Sequence, residues 1–381
     1  MKKPLAALFV VLALCGTARA ASVTLGEVSA PSVVLMEKET GTILLARDEH
    51  TPREPASVTK IMTILLTMEA LDNGTLSYDT VVTASAHASS MGGSQIWLRE
   101  NEQMTVEEML KAVCVVSAND CAVALGECLA GSEEAFVERM NRRAKELGME
   151  DTTFKNATGL PATGHVTSAY DIALMSRELI LKHPDIRRFT TIWTDSLRGG
   201  TSVLVNTNKL LRTFDGATGL KTGSTGAARY CLSATAERDG MELIAVVLKG
   251  ETSAKRFEDA KTLLNYGFSH YALRSAQPET PIPPVPVELG EADAVEVEPE
   301  GGGALLLEKE QAAVLRQEVT LEESLKAPVE KGARVGTLTL YAGDELLSEI
   351  PLLAASDVPR VTYARMFFRL LRVAFLDGES S

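Results

Sequence analysis

Three short stretches carry residues whose types and spacing could do acyl-transfer chemistry. In "PASVTKIMT", residues 55–63, Ser57 precedes Lys60 by three positions at the mouth of an apolar run. On a helix that spacing sets hydroxyl and amine on one face, a turn apart. "VVSANDCAVAL" supplies Ser117 and Asn119, and "TGLKTGSTG" supplies Lys221, Thr222 and Gly223. A serine hydroxyl is a weak nucleophile until a base takes its proton. A lysine is such a base only when neutral. Desolvation against "IMTILL" and a second cation, Lys221, both act in that direction. Ser117 is suited to relay a proton to a leaving amine, and Asn119 to hold a substrate amide. Gly223 lets a strand approach a peptide backbone closely. The backbone N–H groups of Ser57 and, by position, Ser224 are candidates to stabilise an oxyanion. Lys221, Thr222 and Thr225 offer a cation and hydroxyls to a carboxylate. A lone S-x-x-K arises about once by chance in a chain this long, where it reads as a helix cap beside a solvated lysine. The ordered set of three outweighs that reading.

These residues need elements to position them. The alternation in "SVVLMEKETGTILLARD" turns at Glu39-Thr40-Gly41 and predicts a β-hairpin. Residues 57–72 read as an apolar helix closed by Asn73-Gly74. Thr105 and Glu108 form a capping box, and "SEEAFVERMNRRAKELG" is an amphipathic helix ending at Gly148. "RYCLSATAERDGMELIAVVLKG" reads as two strands around Asp239-Gly240, with the helix "SAKRFEDAKTLLNYGF" packed on them. Strands at both ends of a helix-rich middle predict a mixed α/β domain with an antiparallel sheet.

The chain has 381 residues, enough for two domains, and a formal charge of −13. Nucleic acid is not an expected partner, because a phosphate-binding surface needs basic stripes. Lys2 and Lys3, the run "LAALFVVLALC" and Ala18-Arg19-Ala20 read as an export signal over residues 1–20, cleaved before Ala21. Leu14 before Cys15 speaks against lipid attachment. Losing Lys2, Lys3 and Arg19 takes the charge from −13 to −13 − 3 = −16. Four cysteines then remain. Cys114, Cys121 and Cys128 are seven apart in a segment read as helix. Seven residues rise about 10.5 Å, beyond the roughly 7 Å reach of a disulfide. They read as small buried thiols on one helix face, and neither a metal nor a cofactor is expected.

After Tyr271 the composition shifts to Pro, Gly and acid, a linker passing into short strands, and residues 313–350 alternate as a small β-rich domain. The boundaries expected are 21–271 for the catalytic domain, 272–355 for the β-rich domain and 356–381 for a terminal amphipathic helix. In that helix Arg365, Arg369 and Arg372 lie beside Phe367, Phe368, Leu370, Leu371 and Phe375. It suits an anionic membrane surface, over residues 359–376. Docking on its own protein, or a dimer contact, is the alternative.

S-x-x-K, S-x-N and K-T-G in that order form the active-serine set of penicillin-binding proteins and class A β-lactamases. Longer text extends the likeness: "SAHASSMGGSQIWL", "GMEDTTFKNATGLPATGHVTSAYDIALMSREL", "LVNTNKLL", "DGATGLKTG" and "KRFEDAKTLLNYGF". The chain resembles the serine-type D-alanyl-D-alanine carboxypeptidases, low-molecular-mass penicillin-binding proteins, in the form found in clostridia-like bacteria. The likeness covers residues 30–271, and the tail resembles that family's β-rich domain and membrane anchor. It implies removal of the terminal D-alanine from the peptidoglycan pentapeptide through an acyl-Ser57 intermediate, with β-lactams as covalent inhibitors. Carried over by position, Lys60 is the base, Ser117 and Asn119 the second element, and Lys221 a substrate ligand. Arg256 matches an arginine that helps to hold the terminal carboxylate, although arginines on helices are usually solvated. The location implied is the outer face of the cytoplasmic membrane.

Rival readings share the triad. A class A β-lactamase needs a glutamate that activates water, and "MEDTTFKNATGL" lacks its E-x-x-L-N pattern. A D,D-endopeptidase or transpeptidase would use the same residues. A silent wall-binding scaffold would have no reason to keep Ser57, Lys60 and Lys221 together.

Overall fold

The computed structural model describes residues 27–301 and 303–368. The leader expected over residues 1–20, and the terminal helix beyond residue 368, lie outside them. The chain opens with the antiparallel hairpin β1 (Ser32–Glu37) and β2 (Ile43–Arg47). A 3₁₀ turn, Ala56–Thr59, runs directly into α1 (Lys60–Asp72). Then come α2 (Val106–Val115), α3 (Asn119–Ala130), α4 (Glu133–Glu146) and α5 (Ala169–Lys182). Strands β3 (Ala217–Thr225), β4 (Arg229–Arg238) and β5 (Met241–Gly250) and the helix α6 (Ser253–His270) complete the unit.

The five strands form one antiparallel sheet in the order β2-β1-β5-β4-β3. Alternate side chains leave its two faces. Val34, Met36, Ile244, Val246 and Leu248 face a core shared with α1 to α5. Val33, Leu35, Leu243, Ala245 and Val247 face α6. Because both faces are covered, β1 is buried at every position. The β4–β5 turn has Asp239 at φ 50° and Gly240 at φ 77°, as its Asp-Gly pair requires. The capping box at Thr105 is formed, and it starts α2.

α1 is buried from Lys60 through Met68, so it is the central helix of the domain and not a surface one. The cysteine reading needs correction. The chain breaks at residues 116–118, so Cys114 lies on α2 while Cys121 and Cys128 lie on α3. Cys114 and Cys121 are buried but Cys128 is exposed, and none is paired. Burial pushes the Cys114 thiol up to about 12.

After α6, a strand at Tyr271–Ser275 pairs with Ala304–Glu308. A four-stranded sheet includes Leu315–Leu321, Arg334–Ala342 and Glu345–Ala354, and packs on a separate core around Val335, Leu338 and Leu352. The fold is thus a mixed α/β domain with an antiparallel sheet, followed by a small all-β domain. Residues 356–362 are not helical. Isolated bridges Val329↔Val358 and Gly290↔Arg360 tie them to the β-rich domain, and helix begins at residue 363. Arg365 is ion-paired with Glu291, while Tyr363, Phe367 and Phe368 are exposed. Among the described residues no helix is long and apolar enough to cross a membrane.

Candidate active site

Ser57 sits on the 3₁₀ turn that feeds α1, half-buried at the surface. The residue before it, Ala56, is held at φ 50°, a backbone conformation that costs roughly 1–3 kcal/mol and that clusters at functional sites. One turn on, Lys60 is fully buried. Its Nζ lies 3.1 Å from Ser57 Oγ and donates to the Thr158 carbonyl at 2.7 Å. Burial holds its pKa well below the usual lysine value, the Lys221 charge adds to this, and Asp120 opposes both. A neutral amine this close to a hydroxyl is equipped to take its proton.

Ser117 lies in the break between α2 and α3, at φ 64° and almost fully buried. Lys221, on β3, donates to Ser117 Oγ at 2.9 Å and to the Thr222 carbonyl at 2.8 Å. Burial pulls the Lys221 ammonium down to about 7, and the Arg256 cation acts in the same direction. Asn119 begins α3. Its Nδ2 donates to Gly92 O at 2.6 Å and its N–H to Ser94 O at 2.7 Å. Its Oδ1 is buried without a partner, an acceptor open to an incoming N–H. The structure thus brings two serine–lysine pairs together, each lysine anchored by one carbonyl.

Gly223 is where β3 meets the Ser57 turn. A Cβ there would lie 2.9 Å from the backbone nitrogens of Ser57 and Val58 and 3.0 Å from Pro55 O. The close approach at Gly223 is therefore to the protein's own Ser57 turn, whereas the sequence reading expected a peptide backbone there. Ser224 is exposed and next along the strand. Thr222 is buried, with Oγ1 2.6 Å from Thr207 Oγ1. Thr225 Oγ1 accepts the Ala228 N–H at 3.0 Å, so it also holds the β3–β4 turn. Arg256 is not a solvated helix charge. It is 7% exposed, stacks on Tyr230 and Phe257, and donates to the carbonyls of Gly223 at 2.9 Å and Cys231 at 3.2 Å. It braces β3 from behind.

Several residues of the site carry no recognisable motif. Asn156 Oδ1 accepts from Thr158 N at 3.1 Å and Gly159 N at 2.7 Å, shaping the loop whose carbonyl holds Lys60. Gly159 packs so tightly that a Cβ would fall 1.8 Å from Ala56 O. Asp120, fully buried, accepts backbone N–H groups of Ile96 at 3.1 Å, Leu98 at 3.0 Å and Cys121 at 2.9 Å. Thr207 belongs to "LVNTNKLL". The signals available were a sequon-like "NAT" and an aspartate after S-x-N, neither of which names its function alone. Among the described residues no cluster of His, Cys, Asp and Glu could hold a metal ion.

Residues 17–252 match the D-alanyl-D-alanine carboxypeptidase family of peptidase S11, and residues 277–360 match the C-terminal domain of penicillin-binding protein 5. The chain is 41% identical to the D-alanyl-D-alanine carboxypeptidase DacF of Bacillus subtilis over 90% of its own length and 89% of that protein's. It superposes on penicillin-binding protein 5 of Haemophilus influenzae with a TM-score of 0.74 at 28% identity, covering 87% of this chain and 98% of that one. Penicillin-binding protein D2 of Listeria monocytogenes, solved in a cefotaxime-bound form, matches at a TM-score of 0.59 and 36% identity, over 63% of this chain and 98% of that one. The chain belongs to the D-alanyl-D-alanine carboxypeptidase family, peptidase S11, and is a serine-type carboxypeptidase of cell-wall biogenesis.

Proposed function

We propose that this enzyme removes the terminal D-alanine from peptidoglycan stem peptides through an acyl-Ser57 intermediate. The observation that carries the reading is a fully buried Lys60 whose Nζ stands 3.1 Å from Ser57 Oγ. Lys60 takes the proton as Ser57 Oγ attacks the penultimate carbonyl. The N–H groups of Ser57 and Ser224 stabilise the oxyanion. Lys221 holds the terminal carboxylate with Thr222 and Thr225, and Ser117 passes a proton to the leaving amine. Asn119 Oδ1 accepts a substrate N–H. Arg256 acts through Gly223 as a positioning residue, and water then frees the shortened peptide. β-Lactams are expected to acylate the same Ser57.

The organisation that supports this role is a leader over residues 1–20, a catalytic unit over 21–271, a β-rich unit over 272–355 and a terminal segment over 356–381. The exported enzyme works at the outer face of the cytoplasmic membrane, held peripherally. Exposed Tyr363, Phe367 and Phe368 support that attachment to an anionic lipid surface. The test is free D-alanine released from a soluble peptide ending in D-Ala-D-Ala, with Ser57→Ala alongside. Release that needs Ser57 is expected, and none from the wild type would overturn the reading.

A further inference from the structure

A groove of about 1140 Å³ lies between residues 95–102 and the hairpin formed by Thr194–Leu197 and Ser202–Val205. One wall is Trp97, 74% exposed and held at φ 57°. Its neighbours Ile96 and Leu98 are buried, and the N–H groups of both donate to the Asp120 carboxylate. The backbone is clamped on either side of Trp97, so the indole is presented outward from a rigid frame. On the other wall Val203 and Val205, 72% and 49% exposed, leave one face of a strand. Arg198, also lining the groove, keeps Nη2 buried without a partner.

One end of the groove lies beside the site, where the Thr207 N–H donates to the Val115 carbonyl at 3.1 Å. Val116 lines it and directly precedes Ser117. Val205 lines it too, and Thr207, two residues on, bonds Thr222. In the carboxypeptidase reading, on which this inference rests, Ser117 serves the leaving amine and Lys221-Thr222 the leaving carboxylate. That end of the groove adjoins the leaving-group side. The methyl of D-alanine is far too small to cover Trp97, Val203 and Val205.

We propose that this groove is a subsite for the side chain of the leaving D-amino acid, and that it takes an extended chain whose apolar part covers Trp97, Val203 and Val205. The reaction is unchanged in its balance. Ser57 Oγ forms an ester to the D-alanyl carbonyl as the D-Ala–D-Xaa amide breaks. The Ser57 proton goes to Lys60, the leaving amine gains one through Ser117, and water cleaves the ester. Two sources share the chemistry: a free C-terminal D-residue with a large side chain, and a cross-linked peptide whose leaving D-centre carries a chain onward.

The test compares kcat/KM on peptides ending in D-Ala-D-Leu and D-Ala-D-Ala, with a cross-linked muropeptide dimer as a third arm. The wild type should use D-Ala-D-Leu at least as well as D-Ala-D-Ala. Trp97→Ala and Val203→Ser should each lower that ratio, by about tenfold for Trp97→Ala. A ratio unmoved by Trp97→Ala, or a wild type that disfavours D-Ala-D-Leu more than tenfold, overturns the subsite while leaving the carboxypeptidase reading intact. No release of any D-amino acid overturns both. Dimer cleavage that falls in Trp97→Ala assigns the groove to cross-linked wall; an intact dimer beside released D-leucine assigns it to free C-terminal residues.

Discussion

The two domains bury polar groups very differently. The catalytic unit buries Lys60, Asp120, Lys221 and Arg256, together with Ser117 and Asn119, whereas in the β-rich unit Thr339 is the one polar residue buried among those described. Buried ionisable groups are costly unless paired or neutralised. Four of them gather near Ser57, an arrangement we read as stability given up for reactivity. The β-rich unit makes no such concession. Its core of Val335, Leu338, Leu340 and Leu352 is apolar packing.

The largest test of that contrast is chemical. Ser57→Ala should abolish labelling by fluorescent penicillin, and Lys60→Met should slow acylation by about 10⁴-fold or more. The same Lys60→Met protein should unfold at a temperature no lower than wild type, because an apolar chain replaces a buried amine. A variant that acylates normally, or that loses its fold, would remove the opposition between stability and reactivity.

Gly223→Ala comes next. Its Cβ would press on the Ser57 and Val58 nitrogens at 2.9 Å. A displacement of this kind costs about 10²-fold in kcat/KM. Acylation within twofold of wild type would show that β3 does not set the Ser57 turn.

Lys221 gives a pH signature. Its pKa is lowered to about 7, so the cation proposed to hold a carboxylate is present below that pH and lost above it. kcat/KM for a D-Ala-D-Ala peptide should fall as pH rises through about 7. Lys60 titrates in the opposite sense, since its protonation at low pH removes the base. Lys221→Arg, which stays charged, should flatten the alkaline limb. A limb unchanged in that variant would assign it to another group.

The smallest effect is expected at the far end. Deleting residues 359–381 should leave kcat/KM within about twofold, as the bonds given for its described residues run to the β-rich domain, yet release the protein from anionic vesicles in co-sedimentation. Retained binding would favour the alternative in which the terminal segment docks on protein, as the Arg365–Glu291 pair does.

Much of this was legible in the sequence because local chemistry and local structure agree there. Asp239-Gly240, the Thr105–Glu108 capping box and the four motif serines and lysines, Ser57, Lys60, Ser117 and Lys221, each carry their own signature. What escaped depends on long-range contact. Asn156, Thr158 and Gly159 matter because that loop folds onto Ser57 and Lys60 about a hundred residues away, at |i−j| of 98 for Lys60 and Thr158. The resemblance singles out Arg256, but its bonds to the Gly223 and Cys231 carbonyls follow only once β3 and β4 are placed beside it. The three cysteines read as one helix because a break at Ser117, held at φ 64°, has no glycine to announce it.

The most direct measurement of the central claim is the location of the acyl group. The whole enzyme is mixed with benzylpenicillin, quenched and digested with trypsin, and the peptides are weighed. The account predicts one penicilloyl adduct, on the peptide of residues 54–60 that contains Ser57, and none in Ser57→Ala. An adduct on any other peptide, or one that survives Ser57→Ala, would contradict it.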